Sequence, residues 1–150
     1  MTPFGFGNLI LSGLVFLALL PAPVLAADQT PVREMIGQML LVGFRGTSVG
    51  SDAPILRDIR EHNLGGVILF DRDVQLQNPE RNIQSPEQVK ALTASLQANA
   101  RTPLFIAVDQ EGGKVRRFRE DRGFAFSPSA KSMGQGAPAQ TRLEGEQIGR

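Results

Sequence analysis

An α/β fold with a parallel sheet is what this sequence predicts, and three observations predict it. Apolar runs at residues 40–44, 67–70 and 104–108 are short and continuous, without the alternation of a half-exposed strand. A stretch with helical spacing precedes each of them. Capping and turn residues punctuate the cycle each time it recurs. Strands of this kind imply a sheet covered on both faces. A doubly wound sheet and a (β/α)8 barrel both satisfy the pattern, and periodicity does not choose between them.

The elements follow in order. Thr30 before Pro31 reads as a helix start, a hydroxyl N-cap followed by proline at the first helical position. Val32, Met35, Ile36 and Met39 then recur at helical spacing, and the first apolar run follows almost without a linker, leaving through Arg45-Gly46-Thr47. Ser51 or Asp52 is placed to cap a second helix containing Pro54, Ile55, Leu56 and Ile59. Asn63-Leu64-Gly65 closes it, since Asn and Gly accept the left-handed conformation of a helix C-terminus. The second apolar run ends in Asp71-Arg72-Asp73, and residues 74–84 read as a polar loop. Ser85-Pro86-Glu87-Gln88 is a capping box, with Gln88 placed to reach back to the cap. Its helix puts Val89, Leu92 and Leu96 on one face before Arg101-Thr102-Pro103 breaks it. The third run ends at Asp109, and a further helix begins near Pro138.

Composition narrows the function. A hydrophobic fraction of 41% and a charged fraction of 21% belong to a globular chain. A net charge of +1 argues neither for nucleic acid nor for an anionic membrane as partner. With no cysteine there are no disulfides, thiolate metal sites or cysteine nucleophiles. Tryptophan and tyrosine are absent too, so only the nine Phe offer an aromatic face to a ligand. Residues 1–26 read as an export segment, with an uncleaved anchor or a buried helix as the alternatives. Residues 9–20 are apolar apart from Ser12 and Gly13, Pro21 and Pro23 end any helix, and Val24-Leu25-Ala26 supplies a small-residue cleavage site. The run is shorter than the roughly 20 residues a membrane span needs. The expected mature part is residues 27–150, with no stable membrane span after cleavage.

The stretch that carries chemistry is Asp109-Gln110-Glu111-Gly112-Gly113-Lys114-Val115-Arg116-Arg117-Phe118. It places carboxylates, two glycines and a group of cations immediately after a buried strand, and ligands of parallel α/β folds bind at strand C-termini. Asp109 has the chemistry to accept hydrogen bonds from neighbouring sugar hydroxyls, and an arginine to donate a planar fork. On spacing alone the stretch also fits a solvated turn. Neither the phosphate-loop nor the dinucleotide glycine pattern occurs in it.

With Val108 in front, that string resembles the N-terminal domain of glycoside hydrolase family 3, in its β-N-acetylhexosaminidase branch. Two other segments agree in order and spacing: Gly37-Gln38-Met39-Leu40-Leu41-Val42-Gly43-Phe44 and Gly65-Gly66-Val67-Ile68-Leu69-Phe70. The resemblance spans residues 32–150. It implies a (β/α)8 TIM-type barrel, of which about the first three β/α units are present here. The implied activity is retaining hydrolysis of terminal N-acetylglucosamine, often from peptidoglycan fragments, with no metal or organic cofactor. It implies that Asp109 and Arg117 contact the sugar, supported by Glu111, Gly112, Gly113 and Lys114. Glu111 is expected to orient the loop, and Lys114 stands where the family usually has arginine, which keeps charge but loses the fork. The family's nucleophilic aspartate and its Lys-His-Phe-Pro-Gly-His-Gly motif do not occur in the 150 residues, so the expectation is a truncated domain that is inactive alone. The only histidine, His62, reads as a surface or packing residue. The alternatives are a β-glucosidase of the same family, a non-catalytic sugar-binding remnant, and a doubly wound binding protein unrelated to sugars.

Overall fold

A computed structural model describes residues 31–149. The expected export segment and Thr30 lie outside the described residues. Pro31 occupies the N-cap of the first helix, one position earlier than its expected place inside the helix, so α1 runs over Val32–Gln38. The remaining elements are β1 (Leu41–Gly43), α2 (Pro54–His62), β2 (Gly66–Leu69), α3 (Pro86–Gln97), β3 (Phe105–Val108), α4 (Ala130–Gly134) and α5 (Pro138–Ile148), with a 3-10 turn at Glu120–Arg122. Neither that turn nor α4 is anticipated by the sequence pattern.

The three strands are parallel and lie in chain order, β1-β2-β3. Successive strand residues face opposite sides, so the register defines two faces. Val42, Val67, Leu69, Ile106 and Val108 point to one of them. There they meet Ile55, Leu56 and Ile59 of α2 and Leu92 and Leu96 of α3 in one core cluster. Both crossover helices therefore cover the same side, as right-handed crossovers between strands laid down in order require, an arrangement shared by a barrel and by one half of a doubly wound sheet. The other face carries Leu41, Gly43, Gly66, Ile68, Phe105 and Ala107. Among the described residues it is only partly covered, and Leu41 and Phe105 are exposed. The expectation of a sheet buried on both sides is met here on one. The apolar residues at helical spacing, Val32, Met35 and Ile36 of α1 and Met39 at its C-cap, are likewise exposed.

Local signals explain the junctions. Asn63 ends α2 at φ 49° and ψ 51°, in the expected left-handed cap. The expected cap at Ser51 or Asp52 does not form; Ala53 is the N-cap, without a side-chain hydrogen bond, and Pro54 opens the helix. At α3, Ser85 Oγ accepts from the Gln88 amide at 3.2 Å, as a capping box requires. Gln88 Oε1 reaches one residue further back than expected, to the Gln84 amide at 2.8 Å. Its Nε2 donates to the Thr47 and Asn82 carbonyls, which ties the helix start to both preceding strand exits. Gly37 and Gly65 let backbones touch at the opposite end. A Cβ on Gly37 would lie 1.7 Å from the His62 carbonyl oxygen, and one on Gly65 2.0 Å from that of Gln38. No helix among the described residues is long and apolar enough to cross a membrane.

Candidate functional site at the strand exits

Parallel strands deliver their C-termini to one edge, so Phe44-Arg45, Phe70-Asp71-Arg72-Asp73 and Asp109-Gln110 emerge side by side. Asn82, fully buried, holds the first two exits together. Its Oδ1 accepts from the Phe70 amide at 3.1 Å, and its Nδ2 donates to the Phe44 and Gly46 carbonyls at 3.3 and 3.0 Å. Arg81 donates Nε to the same Phe44 carbonyl at 2.8 Å and lies over the Phe70 ring, 4.6 Å from its centroid. Arg122 donates to the carbonyls of Asp71, Ile83 and Pro79, closing the polar loop against the segment that follows β3.

The third exit is shaped by Gln110. Its Oε1 accepts from the Arg117 and Phe118 amides at 2.8 and 3.1 Å, and its Nε2 donates to the Phe118 carbonyl at 3.3 Å. Gly112 and Gly113 turn the chain at φ 74° and 57°, in the left-handed region. A Cβ at Gly112 would lie 2.2 Å from the Pro128 carbonyl oxygen, so the turn is pressed against the backbone that leads to α4. The hydrogen bonds that orient this loop thus come from Gln110. Glu111 contributes its backbone amide, donated to the Val115 carbonyl at 2.9 Å, while its side chain is exposed.

This folding brings Asp109 and Arg117 together, with Arg117 Nη2 3.9 Å from Asp109 Oδ2. That separation exceeds hydrogen-bond length. The Asp109 side chain is 52% exposed and that of Arg117 19%. The closer partner of Arg117 is Asp71, whose buried carboxylate accepts from Nη1 at 3.2 Å. The Arg117 Nε is buried with no partner. Asp73, also buried, accepts from Arg45 Nε and from the Gln75 and Leu76 amides, each of these two at 3.1 Å. The Arg45 hydrogen bond is the main reason its carboxyl sits below the ordinary value of 3.8, against an opposing push from burial.

Glu111, Gly112, Gly113 and Lys114 line a separate depression facing Ser129 and Lys131, apart from the cleft that Arg117 enters. Lys114 is exposed there. His62 ends α2, at the edge opposite the strand exits. Among the described residues no group of three His, Cys, Asp or Glu side chains is arranged to hold a metal ion. Sequence reasoning missed Asp71, Gln110, Arg81 and Asn82. The signals available for them were position, two residues past a strand for Asp71 and Gln110, and for Arg81 and Asn82 the apolar Ile83 that follows them in the loop.

Chemically, the exits offer an exposed carboxylate beside an arginine whose orientation is set from behind, which suits neighbouring hydroxyls of a polar ligand. Known proteins share this chain's pattern. A β-hexosaminidase of Alkalilimnicola ehrlichii is 42% identical over 113 residues, covering 73% of this chain and 29% of the relative. Another from Methylobacillus flagellatus is 48% identical over 80 residues, covering 53% and 20%. Among solved structures, a glycoside hydrolase family 3 β-N-acetylglucosaminidase from Paenibacillus superposes with a TM-score of 0.60 at 31% identity, over 74% of this chain and 19% of that one. NagZ from Neisseria gonorrhoeae, solved with N-trifluoroacetyl-D-glucosamine, gives 0.51 at 34% identity, over 64% and 24%. This chain therefore spans less than a third of the length of these relatives. The description "Glycosyl hydrolase family 3 N terminal domain" matches residues 31–149, every residue of the described fold, and the chain belongs to that family.

Proposed function

We propose that this chain is the substrate-holding part of a retaining glycoside hydrolase that removes terminal, non-reducing N-acetylglucosamine, with peptidoglycan fragments as its natural substrates. The observation that carries the reading is the pairing of Asp109 with Arg117 at the strand exits, in a chain whose relatives are named β-hexosaminidases. In this reading the sheet is the first part of a (β/α)8 barrel, and its partly covered face becomes the interior. Asp109 and Arg117 hold sugar hydroxyls. An aspartate nucleophile and a histidine acid/base, neither of them in these 150 residues, perform the chemistry, so the 150 residues alone turn over no substrate. The protein is exported and cut near Ala26, which N-terminal sequencing of protein from the envelope or medium checks; a cytoplasmic chain starting at Met1 speaks against it.

The test of the site is a pair of substitutions in the full-length enzyme. Asp109→Ala is expected to lower kcat/KM for an aryl N-acetylglucosaminide on the order of 10- to 100-fold, with Tm unchanged, because the lost group is exposed and charge-assisted hydrogen bonds are worth about 1.5–3 kcal/mol. Arg117→Ala is expected to show a similar kinetic loss together with a stability loss of about 1–3 kcal/mol, since it strands the buried Asp71 carboxylate. An Asp109→Ala enzyme with unchanged kcat/KM defeats the assignment.

A further inference from the structure

Beside the proposed sugar contacts lies a cleft of about 330 Å³ between the exits of β1 and β2. Four arginines line it, Arg45, Arg72, Arg81 and Arg117, together with Phe70, and no carboxylate does. The acids that pair with two of these arginines are buried behind the lining: Asp73 meets Arg45, and Asp71 meets Arg117. The other two have no carboxylate within ion-pair distance among the described residues. Arg81 is nonetheless held in place, through its Nε bond to the Phe44 carbonyl and its position over Phe70. Its two terminal nitrogens are left over, in the planar fork that matches a carboxylate or a phosphate. Arg72 is exposed and adds a second uncommitted cation. The charges of Arg45 and Arg117 are thus already balanced, and those of Arg72 and Arg81 are left for an anionic oxygen. Arg117 belongs both to the cleft and to the pair with Asp109, so a group bound here adjoins whatever Asp109 holds.

We propose that this cleft binds an anionic oxygen group, a carboxylate or a phosphate, covalently carried by the same substrate whose N-acetylglucosamine unit sits at Asp109 and Arg117. The inference rests on that reading of the site and adds a requirement to it: the preferred substrate is charged. The anion has two possible sources, the leaving group or the sugar's own O6.

Calorimetric titration of the full-length protein distinguishes these, using three S-linked N-acetyl-β-glucosaminides that no hydrolase step is needed to read. One has an uncharged aryl aglycone, one an aryl carboxylate, and one an uncharged aryl aglycone with phosphate on O6. At low salt one charged probe is expected to bind about 10-fold more tightly than the uncharged probe, a difference equivalent to about 1.4 kcal/mol. Which probe it is identifies the source. The preference should fall to near unity in Arg81→Met, fall in part in Arg72→Gln, and shrink in about 0.5 M salt. Arg72 has no hydrogen bond or ion pair to the described residues, so its variant stays informative if Arg81→Met fails to fold. Asp109→Ala should weaken all three probes alike. If it leaves them unchanged while the charged preference persists, the sugar assignment fails and the anion cleft stands. Absence of any charged preference in the unaltered protein, or a preference that survives both arginine substitutions, overturns the proposal.

Discussion

The two faces of the sheet are built from the same kinds of residue and have opposite surroundings. On one, Val67 and Leu69 are sealed under α2 and α3. On the other, Ile68 is only partly covered, and Phe105 at the rim is 77% exposed. The apolar side of α1 is bare as well. The difference teaches that a continuous apolar strand announces two buried faces without saying what buries them. In this chain the crossover helices account for one, and the proposed barrel interior accounts for the other.

Substitutions in the full-length protein test the contrast most severely. Leu69→Ala is expected to cost about 2–5 kcal/mol in urea denaturation, as for any buried leucine. Phe105→Ala should cost about as much, 3–5 kcal/mol, once a barrel closes over the inner face. A cost within about 0.5 kcal/mol would mean that the face stays open, and the barrel proposal would fall. A smaller effect is expected where the covered side reaches the strand exits. Asn82→Ala removes hydrogen bonds to three backbone groups of the first two exits, and should lower stability by about 1–3 kcal/mol; an unchanged Tm would show that other bonds hold these exits. The smallest effect concerns Asp73. Its carboxyl is held below 3.8, so the Arg45 pair adds stability above the unfolded-state value and loses it as pH falls through the lower folded value. The Tm difference between the unaltered protein and Asp73→Asn should therefore be present at about pH 7 and close at about pH 2. Arg45 is half-exposed, so the difference is modest, and a gap that does not change with pH would rule the pair out as its source.

Much of the fold was legible because its signals are local. Asn63 ends α2 through its own backbone conformation, and Ser85 caps α3 through a residue three positions away. The three strands show as apolar runs whatever packs on them. The cap at Ser51 or Asp52 was misread because Ala53-Pro54 starts a helix by backbone shape alone. At the site, Asp109 and Arg117 were visible through a motif. Asp71 and Asn82 were not, because what distinguishes them from loop residues is partners 46 and up to 38 positions away. Gln110 does not stand out beside Glu111 for a related reason: its role depends on backbone groups seven and eight positions on, and an amide that both accepts and donates suits a loop's mixed backbone groups better than a carboxylate.

The order β1-β2-β3 also bears on how the chain is made. Each strand pairs with the one synthesised just before it, and the connecting helix has already emerged when pairing occurs. The growing polypeptide can therefore lay down these three strands in the direction of translation. The most recently added strand always offers a free edge to the next, and the edge moves with the ribosome. A chain stalled once β3 has left the ribosome would hold that edge and the bare face open together, a form prone to pair with other chains.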